Sequence, residues 1–468
     1  MQGSPLRQEA GAAPRTDSTL GTLADFSAGL RFEDLSPDVV HDCRRRVIDT
    51  LGCGVGAFRA RPAQIARGLA SRASVPNGAR ILGTVHHTLP ELAAFANGVM
   101  VRYLDGNDTF PGGGGHPSDV IPAVIAAAEA SDANGAALVT GIVAAYEVYS
   151  ALFRAVTMRE KGLDHVFYTA VASAAGASSV MGLGRSETAH AISLAITPNI
   201  ALEATRRGVL SEWKGCAAGN GARNGLFAAL LAGKGLTGPD RPIEGPHGLW
   251  ELVGKFELPA LAARGDRLRI TEANLKYFLA EYHAQSPITA ALELSRSTPP
   301  EDIERVTLHT YWFAWSEVGN EPEKWRPTTR ETADHSLPYM LAAVLLDRQF
   351  SEDIFEPHRL ADERIHSLSA KIAIEEDREL TARFPQFVPC RLEILTRRGE
   401  RKVATVDYPR GHFRNPLSDG EVEAKFRALV KNELSAVQIA RTLETLWKVD
   451  ACKKIAEIWR DLEIEEKN

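Results

Sequence analysis

The chain has 468 residues, of which 44% are hydrophobic and 24% are charged, as in ordinary globular proteins. Its 54 basic and 60 acidic residues give a net charge of -6, so the sequence offers no basic block for nucleic acid. A chain of this length exceeds one usual hydrophobic core, which predicts two domains.

The N-terminal segment MQGSPLRQEAGAAPRTDS lacks the apolar core of a secretory signal. It is interpreted as a disordered leader, with a transit peptide as the weaker alternative. No uninterrupted apolar run reaches the roughly 20 residues that a membrane span needs. The five cysteines are scattered and form no C-x-x-C pair, which disfavours a disulfide framework, a zinc site and an iron–sulfur cluster. These features predict a cytoplasmic protein without a membrane or nucleic-acid partner.

The first half of the chain predicts packed helices. Apolar residues recur at helical spacing in the ranges 37–58, 90–102, 119–130, 136–156, 166–183 and 186–196. These segments are rich in Ala and Gly, whose small side chains let helix backbones approach closely. The sequence therefore predicts a compact bundle of mostly buried helices.

The second half changes in character after about residue 264. Four β-prone runs follow, RVTLHTY, KIAIEED, CRLEILT and KVATVDY, with RRGE as a hairpin turn between the last two. Helical segments are expected at 287–295 and 333–347, and helical periodicity returns over 418–459. The predicted class is mainly α: a large helical domain (18–264), a smaller α+β lid domain (265–410), and C-terminal helices (411–460) that return to the helical domain.

The segment LDGNDTFPGGGGHPSD (residues 104–119) is the strongest candidate for a functional site. Polar residues stand on both sides of four glycines, namely Asp105, Asp108, Thr109 and His116. Such a run of glycines adds no core packing, but it suits a backbone that approaches a ligand closely or a loop that moves. With Ser118 or Asp119 as N-cap of the next helix, His116 would lie where free N–H groups favour anions. The alternative is a flexible loop with ordinary capping residues.

Two further positions combine a charged or titratable side chain with a helix start. Asp164 can cap a helix with His165 in its first turn, although a lone histidine there is more often structural. Lys214 precedes a helix made almost entirely of small residues, which predicts a buried lysine with an anionic partner or a shifted pKa. A surface lysine is the alternative.

Two polar clusters occur in the second half. NLKYFLAEYHAQS brings together Lys276, Tyr277, Glu281, Tyr282, His283 and Gln285 before a helix. ETADHSLPY carries adjacent Asp, His and Ser, which are not expected to form a catalytic triad because neighbouring side chains point apart. Helix capping by Asp334 or Ser336 is the simpler interpretation.

Taken together, these segments resemble the MmgE/PrpD family, which includes 2-methylcitrate dehydratase, cis-aconitate decarboxylase and iminodisuccinate epimerase. The resemblance covers nearly the whole chain, with LADFSAGLRFEDLSPDVVHDCRRRVIDTLGCGVGAF, LDGNDTF and HPSD, LSEWKGCAAGNGARN, GKGLTGP, LKYFLAEYHAQS, ETADHSLPY and GHFRNP in the same order. It implies a homodimer of helical domains interrupted by α+β lids. It also implies an active site between the domains that uses neither metal nor cofactor.

The resemblance implies specific site residues. Catalytic roles fall on Asp105, His116, His165 and Lys214, and contacts with substrate fall on Thr109, Lys276, Tyr277 and His283. The four-glycine loop departs from the decarboxylase pattern. ETADHSLPY lacks the arginine that the decarboxylases tend to carry before His-Ser, and is closer to the dehydratase side.

The family's reactions all handle a proton at a carbon next to a carboxylate, so a site needs cations to stabilise the charge that develops. Our hypothesis is that His116 and His165 share the acid–base work, with Asp105 orienting His116. Lys214 would stabilise charge, and Thr109 would hydrogen-bond a substrate carboxylate.

The predicted function is a hydro-lyase acting on 2-methylcitrate, an intermediate of propionate catabolism, or on a related di- or tricarboxylate. A decarboxylase or an epimerase on the same scaffold is the first alternative. A non-catalytic polycarboxylate-binding protein is the alternative from another class.

Overall fold

The computed structural model describes residues 17–263 and 265–465, so nearly all of the predicted leader lies outside the described residues. The described chain is mainly α, as predicted. Its first part contains the helices α1 (Ser18–Gly29), α2 (Pro37–Gly56), α3 (Arg61–Ala70), α4 (Pro90–Tyr103), α5 (Ile121–Ala130), α6 (Gly135–Ala155), α7 (Val166–Val180), α8 (Arg185–Ile196), α9 (Trp213–Ala232) and α10 (Leu249–Val253). A two-stranded ribbon, β1 (Ala79–Arg80) with β2 (His87–Thr88), lies between α3 and α4.

Local sequence signals explain where several of these helices begin. The hydroxyl of Ser36 accepts a hydrogen bond from Val39 N, and Pro37 occupies the first turn of α2. The side chain of Asn134 caps α6 in the same way. By length and mean hydropathy alone α6 could span a membrane, contrary to the expectation from the sequence, but 83% of its most apolar stretch is buried inside the protein. It therefore has the burial of a core helix.

The expected cap at Ser118 or Asp119 is wrong. A 3-10 turn, Pro117–Val120, comes first, and α5 begins only at Ile121 without a side-chain cap. Both side chains are engaged elsewhere, because the amide of Asn107 donates to the Ser118 hydroxyl and to the Asp119 carboxylate, each at 2.9 Å. These buried polar contacts within the segment replace capping of the helix.

Small residues bring the helices that carry the site into close contact. Gly98 of α4 lies against Gly219 of α9, and a Cβ added at Gly98 would be 2.7 Å from the Cα of Gly219. Only hydrogen fits between the two backbones there. As a result, the C-terminal end of α4, with Arg102, and the first turn of α9, with Lys214, reach the same buried region.

The α+β part is built on a four-stranded sheet with the order β4-β3-β5-β6. Strands β3 (Ile303–Thr310) and β4 (Ile372–Glu376) are parallel, and β5 (Cys390–Thr396) pairs antiparallel with β3 and with β6 (Arg401–Val406). All four strands coincide with the predicted β-prone runs. The helices are α11 (Gln285–Ser295), α12 (Trp312–Val318), α13 (Arg330–Ala333), α14 (Leu337–Asp347), α15 (Pro357–Leu360), α16 (Glu363–Ser369) and α17 (Arg378–Arg383).

The helix predicted over 333–347 is interrupted between α13 and α14. Ser336 caps α14 by accepting from Tyr339 N at 3.1 Å, so this part of the capping prediction is confirmed. The backbone of Asp334 and His335 lies outside both helices and turns their side chains toward the buried site described below.

Two large hydrophobic cores can be distinguished among the described residues. The first continues past α10 through Leu268 and Leu275, and it includes Phe426 of α18 (Asp419–Val430). Phe426 packs on Gly52 of α2, while α19 (Ala436–Leu446) also contributes to this core. The second core belongs to the sheet and to helices α11 and α14. The predicted domain limits at 264 and 410 stay a prediction.

Candidate active site

A cavity of about 360 Å³ lies where the helical part meets the α+β part. The glycine loop around Gly112–Gly114 forms one wall. The helical part contributes Arg102, Asp105, His116, His165 and Arg206, and the α+β part contributes Glu281, His283, Phe313 and His335. A cavity of this size suits a small molecule, and its walls are unusually rich in titratable groups.

Asp105 is the centre of a buried ion network. It follows α4 in a left-handed backbone conformation, with φ 52°, and its side chain is 1% exposed. One carboxylate oxygen pairs with Arg102 and with Lys276 Nζ at 2.7 Å, while the other lies 3.3 Å from Lys214 Nζ. Burial alone would raise the pKa of Asp105, but Arg102, Lys214 and Lys276 hold it well below its usual range. Asp105 is therefore an ionised carboxylate held by three cations.

Lys214 has the buried anionic partners that its sequence context predicts. Besides Asp105, its Nζ donates to both carboxylate oxygens of Asp334 at 2.8 Å. Asp334 Oδ1 in turn lies 2.7 Å from Nδ1 of His335. The expectation that these neighbouring side chains point apart is wrong, because the non-helical backbone between α13 and α14 lets them meet. Burial and Lys214 lower the pKa of His335 to about 4, so its imidazole is neutral at pH 7.

His116 is held in one tautomer by two fixed hydrogen bonds. Its Nε2 lies 2.9 Å from Arg102 Nη2, and its Nδ1 lies 2.7 Å from the carbonyl oxygen of Asp108. A guanidinium group only donates, so Nε2 must accept, and Nδ1 carries the proton that it donates to the carbonyl. Burial and the Arg102 charge hold the pKa of His116 well below its usual range. His116 is thus a neutral imidazole with both nitrogens engaged.

His165 has the complementary arrangement. Its Nδ1 lies 2.9 Å from the carboxylate of Asp164, which also accepts from Arg206 Nε at 3.1 Å. Its Nε2 is buried and has no hydrogen-bond partner among the described residues. The rings of His165 and His116 have centroids 5.4 Å apart. Burial lowers the pKa of His165 even though Asp164 opposes the shift. His165 is therefore an oriented, neutral imidazole with one free nitrogen at the cavity.

Glu281 is a buried carboxyl group of a different kind from Asp105. Its Oε2 accepts from the backbone N of His283 at 2.6 Å, and the residue is 8% exposed. Burial raises the pKa of Glu281, and the nearby charge of Lys276 offsets this only in part. The structure thus places on the same cavity a carboxyl group whose pKa is raised, Glu281, and a carboxylate whose pKa is lowered, Asp105.

A second charged group lies on the cavity wall away from the ion network. Arg159 pairs with Glu317 of α12 and lies 3.3 Å from Glu203 Oε1. Burial and neighbouring Asp164 raise the pKa of Glu203 to about 7. The cation on this wall, Arg159, therefore already pairs with carboxyl groups of the protein.

The remaining predicted residues differ in their relation to the cavity. His283 lines it, hydrogen-bonds the Tyr311 hydroxyl through Nδ1, and has its pKa lowered by burial to about 3. Lys214 and Lys276 lie behind Asp105 and do not line the cavity. Thr109 is buried, and its hydroxyl donates to the Gly115 carbonyl at 3.0 Å. Tyr277 is 46% exposed, packs on Phe278 and does not reach the cavity.

Sequence reasoning missed several residues of the site. Arg102, Arg206, Glu281, Asp334 and His335 were given no catalytic or binding role. Glu281 was named only as a member of a polar cluster, and Asp334 only as a helix cap. Arg102 did carry a signal, because an arginine three positions before Asp105 at a helix end can pair with it. Glu281 carried none, since a sequence does not show which glutamate will be buried without a cation.

Three potential metal ligands lie close together in the described part of the chain. Ligand atoms of Asp105, Asp334 and His335 are within 4.8 Å of one another. Their carboxylate oxygens already pair with Arg102, Lys214 and Lys276. A divalent cation would have to displace an ammonium group and add charge beside the others, so this donor set fits an ion network better than a metal centre.

The arrangement defines a class of site. Neutral, oriented histidines beside fixed cations can move a proton on an anionic molecule while stabilising the charge that develops. Comparison with known proteins then gives the family: models of the MmgE/PrpD N-terminal domain and the MmgE/PrpD C-terminal domain match residues 21–259 and 278–449. The chain belongs to the MmgE/PrpD family, as the sequence motifs predict.

Individual relatives are similar over almost their whole length. The 2-methylcitrate dehydratase of Salmonella typhimurium is 28% identical, with 93% of this chain and 95% of the relative covered. The 2-methylcitrate dehydratase of Escherichia coli is 28% identical over 92% of this chain and 94% of its own. The 2-methylcitrate dehydratase-like protein oryR of Aspergillus oryzae is also 28% identical, over 92% of each chain.

Proposed function

We propose that this protein is a hydro-lyase that dehydrates 2-methylcitrate or a closely related tricarboxylate without a metal or cofactor. The names of its relatives support the reaction type. The observation that carries the proposal is that His165 lines a cavity with Arg102 and Arg206, and that its buried Nε2 has no hydrogen-bond partner among the described residues. A base beside fixed cations is the minimum that proton abstraction next to a carboxylate requires.

In this proposal His165 is the base. Its Nδ1–H donates to Asp164, which fixes the tautomer and directs the Nε2 lone pair away from that carboxylate. Asp164 also stabilises the imidazolium that forms when the proton is taken, as the orienting acid of other His–Asp pairs does. Because burial lowers the pKa of His165, the group is already neutral at pH 7 and ready to accept a proton.

Arg102 is the group that we assign to stabilising negative charge on the substrate. Loss of a proton next to a carboxylate moves charge onto its oxygens, where a guanidinium donor is most effective in a water-poor cavity. The buried ion network contains three cations and two carboxylates. The cations are Arg102, Lys214 and Lys276, and the carboxylates are Asp105 and Asp334. We propose that this excess of positive charge is what an anionic substrate meets.

His116 has a different role here from the shared acid–base role first expected. Both of its nitrogens are engaged, one by Arg102 and one by the Asp108 carbonyl. We propose that His116 and Asp105 together position the Arg102 guanidinium. In this arrangement Asp105 affects the substrate only through Arg102. Lys214 neutralises the negative charge of the Asp105 and Asp334 carboxylates.

One experiment separates the proposed reaction from its alternatives. The purified protein is incubated with citrates, aconitates and amino-dicarboxylates in deuterated water and followed by NMR. A hydro-lyase yields a conjugated alkene from 2-methylcitrate or a near relative. Carbon dioxide release shows a decarboxylase, and deuterium exchange with inversion of an amino-dicarboxylate shows an epimerase. Binding without exchange or turnover shows a binding protein, and each of these three results contradicts the proposal.

The oligomeric state and the cellular location are also proposals. We propose a homodimer, as the family resemblance implies, and a cytoplasmic location, as the sequence features predict. Sedimentation at micromolar concentration tests the assembly, and a monomer at all concentrations would contradict it.

A further inference from the structure

The proposed dehydration needs a proton donor for the departing hydroxyl, and most groups at the cavity cannot supply one. Arg102 stays charged at any accessible pH, and Asp105 is an ionised carboxylate. His116 uses its only proton to donate to the Asp108 carbonyl. The neutral imidazole of His165 accepts the substrate proton. Two carboxyl groups with raised pKa values line the cavity, Glu203 and Glu281. Glu203 lies 3.3 Å from Arg159, whereas no described arginine or lysine comes within ion-pair distance of Glu281, which makes Glu281 the candidate donor.

Glu281 lies where such a donor is required. It lines the cavity together with Arg102, His165 and His335. It lies just before the 3-10 turn Tyr282–Ala284, and its Oε2 accepts from the backbone N of His283, which fixes the carboxyl group. Among the described residues, the side chain that comes within ion-pair distance is His283, with Nε2 at 3.8 Å from Oε1.

The charges that face Glu281 explain why its pKa is raised where that of Asp105 is lowered. No described arginine or lysine pairs with Glu281, whereas three pair with Asp105. His283 and His335 are mainly neutral at pH 7, with pKa values lowered to about 3 and about 4. Burial and the negative charge of Asp105 raise the pKa of Glu281, against partial opposition from Lys276. The surroundings of Glu281 therefore favour its protonated form more than those of Asp105 do.

We propose that Glu281 is the general acid that protonates the leaving hydroxyl; this rests on the proposed hydro-lyase function. His165 Nε2 first takes the proton from the carbon next to a carboxylate and leaves a carbanion, whose charge spreads onto that carboxylate beside Arg102. The electron pair of the carbanion then becomes the second bond of the alkene. The C–O bond breaks with its electrons on oxygen, which receives the Glu281 proton and leaves as water. The products are the alkene, water, an imidazolium at His165 and a carboxylate at Glu281. Solvent then returns a proton to Glu281 and removes one from His165.

The test uses Glu281→Gln in the full chain, with 2-methylcitrate in deuterated water and NMR detection of substrate and product. The amide keeps the shape but cannot donate a carboxylic proton. We expect dehydration to fall by at least about a hundredfold, the usual size of a general-acid effect. Deuterium exchange into the recovered substrate should persist, since His165 is intact. The loss should be much smaller with an analogue in which fluoride replaces the hydroxyl, because fluoride needs less help to leave.

The matched control is Glu129→Gln. Glu129 is a half-buried glutamate, whose pKa burial raises to about 7, but it accepts from Arg80 N and does not line the cavity. The Glu129→Gln variant should leave the rates of dehydration and of deuterium exchange unchanged.

A dehydration rate for Glu281→Gln within about tenfold of that of the unmodified protein overturns the assignment. So does loss of exchange together with dehydration in a folded variant that still binds citrate. If the unmodified protein neither dehydrates nor exchanges any substrate, the proposed function fails as well.

Discussion

The helical part and the α+β part supply different chemistry to one cavity. The helical part provides the oriented imidazole of His165, which we propose as the base, and the guanidinium of Arg102, both fixed by partners within that part. The α+β part provides Glu281, a carboxyl group without a cationic partner among the described arginines and lysines. Two acids of similar burial, Asp105 and Glu281, thus have opposite pKa shifts because only one of them is surrounded by cations. The lesson is that the partners of a buried acid, not its burial, decide whether it holds charge or a proton.

The largest effect should follow from removing the base of the helical part. We expect His165→Asn to lower dehydration by about a hundredfold to ten-thousandfold, since proton abstraction loses its acceptor. Deuterium exchange into 2-methylcitrate should disappear as well, which NMR in deuterated water measures. This double loss distinguishes His165→Asn from Glu281→Gln. A His165→Asn variant that still exchanges at the normal rate would show that the base lies elsewhere and would break the proposed division between the two parts.

Much of this helical scaffold could be predicted from the sequence because periodicity and small residues specify it directly. The segment from Asp105 to His116 and the buried Lys214 were found in this way. What the sequence could not show is long-range pairing. From the sequence, Asp334 was interpreted as a helix cap. In the fold its carboxylate lies 2.8 Å from Nζ of Lys214, which is 120 residues earlier in the chain. Likewise, only the tertiary structure shows that Thr109 donates to the Gly115 carbonyl rather than facing the cavity.

Lys214 connects the two parts, and its removal should be the next largest effect. Lys214→Ala removes the ammonium group that pairs with Asp105 and Asp334, so the buried negative charge of these carboxylates loses part of its compensation. We expect a loss of about 3–5 kcal/mol in the free energy of unfolding. Turnover should also fall at least about a hundredfold, because the positive charge behind Arg102 is lost. Urea unfolding and steady-state kinetics measure the two effects.

The matched control for Lys214 is Lys454→Ala, which breaks an ion pair with Asp132 whose side chains are 64% and 74% exposed. Such a surface pair contributes about 0–1 kcal/mol. If Lys214→Ala were no more destabilising than Lys454→Ala, the ion pairs of Lys214 with Asp105 and Asp334 would not stabilise the fold.

A smaller effect concerns pH and the buried histidines. Burial lowers the pKa of His412 to about 4, from 6.5 for the exposed group. Between these values the unfolded chain binds a proton that the folded one does not, so stability is present above pH 6.5 and falls as the pH decreases toward 4. The slope is about 1.4 kcal/mol per pH unit for one such histidine. His412→Asn should reduce the slope of the unfolding free energy by about that amount in urea melts over this window. An unchanged slope would contradict the neutral, buried state of His412.

The smallest effect should come from Thr109, which the family resemblance places at the substrate and the fold places behind the glycine loop. Thr109→Val keeps the branched shape and removes the hydrogen bond to the Gly115 carbonyl. We expect a loss of about 1 kcal/mol in stability. KM should change by less than about threefold, because the hydroxyl does not line the cavity.

A direct contact with a substrate carboxylate would behave differently. Losing a hydrogen bond to a charged group costs about 1.5–3 kcal/mol, which corresponds to a rise in KM of about tenfold or more. Measuring KM for Thr109→Val therefore decides between the two placements of this residue. A tenfold rise would mean that the glycine loop rearranges on binding and turns Thr109 toward the substrate. That result would also make the loop, and not only the meeting of the helical and α+β parts, a determinant of which carboxylate the cavity accepts.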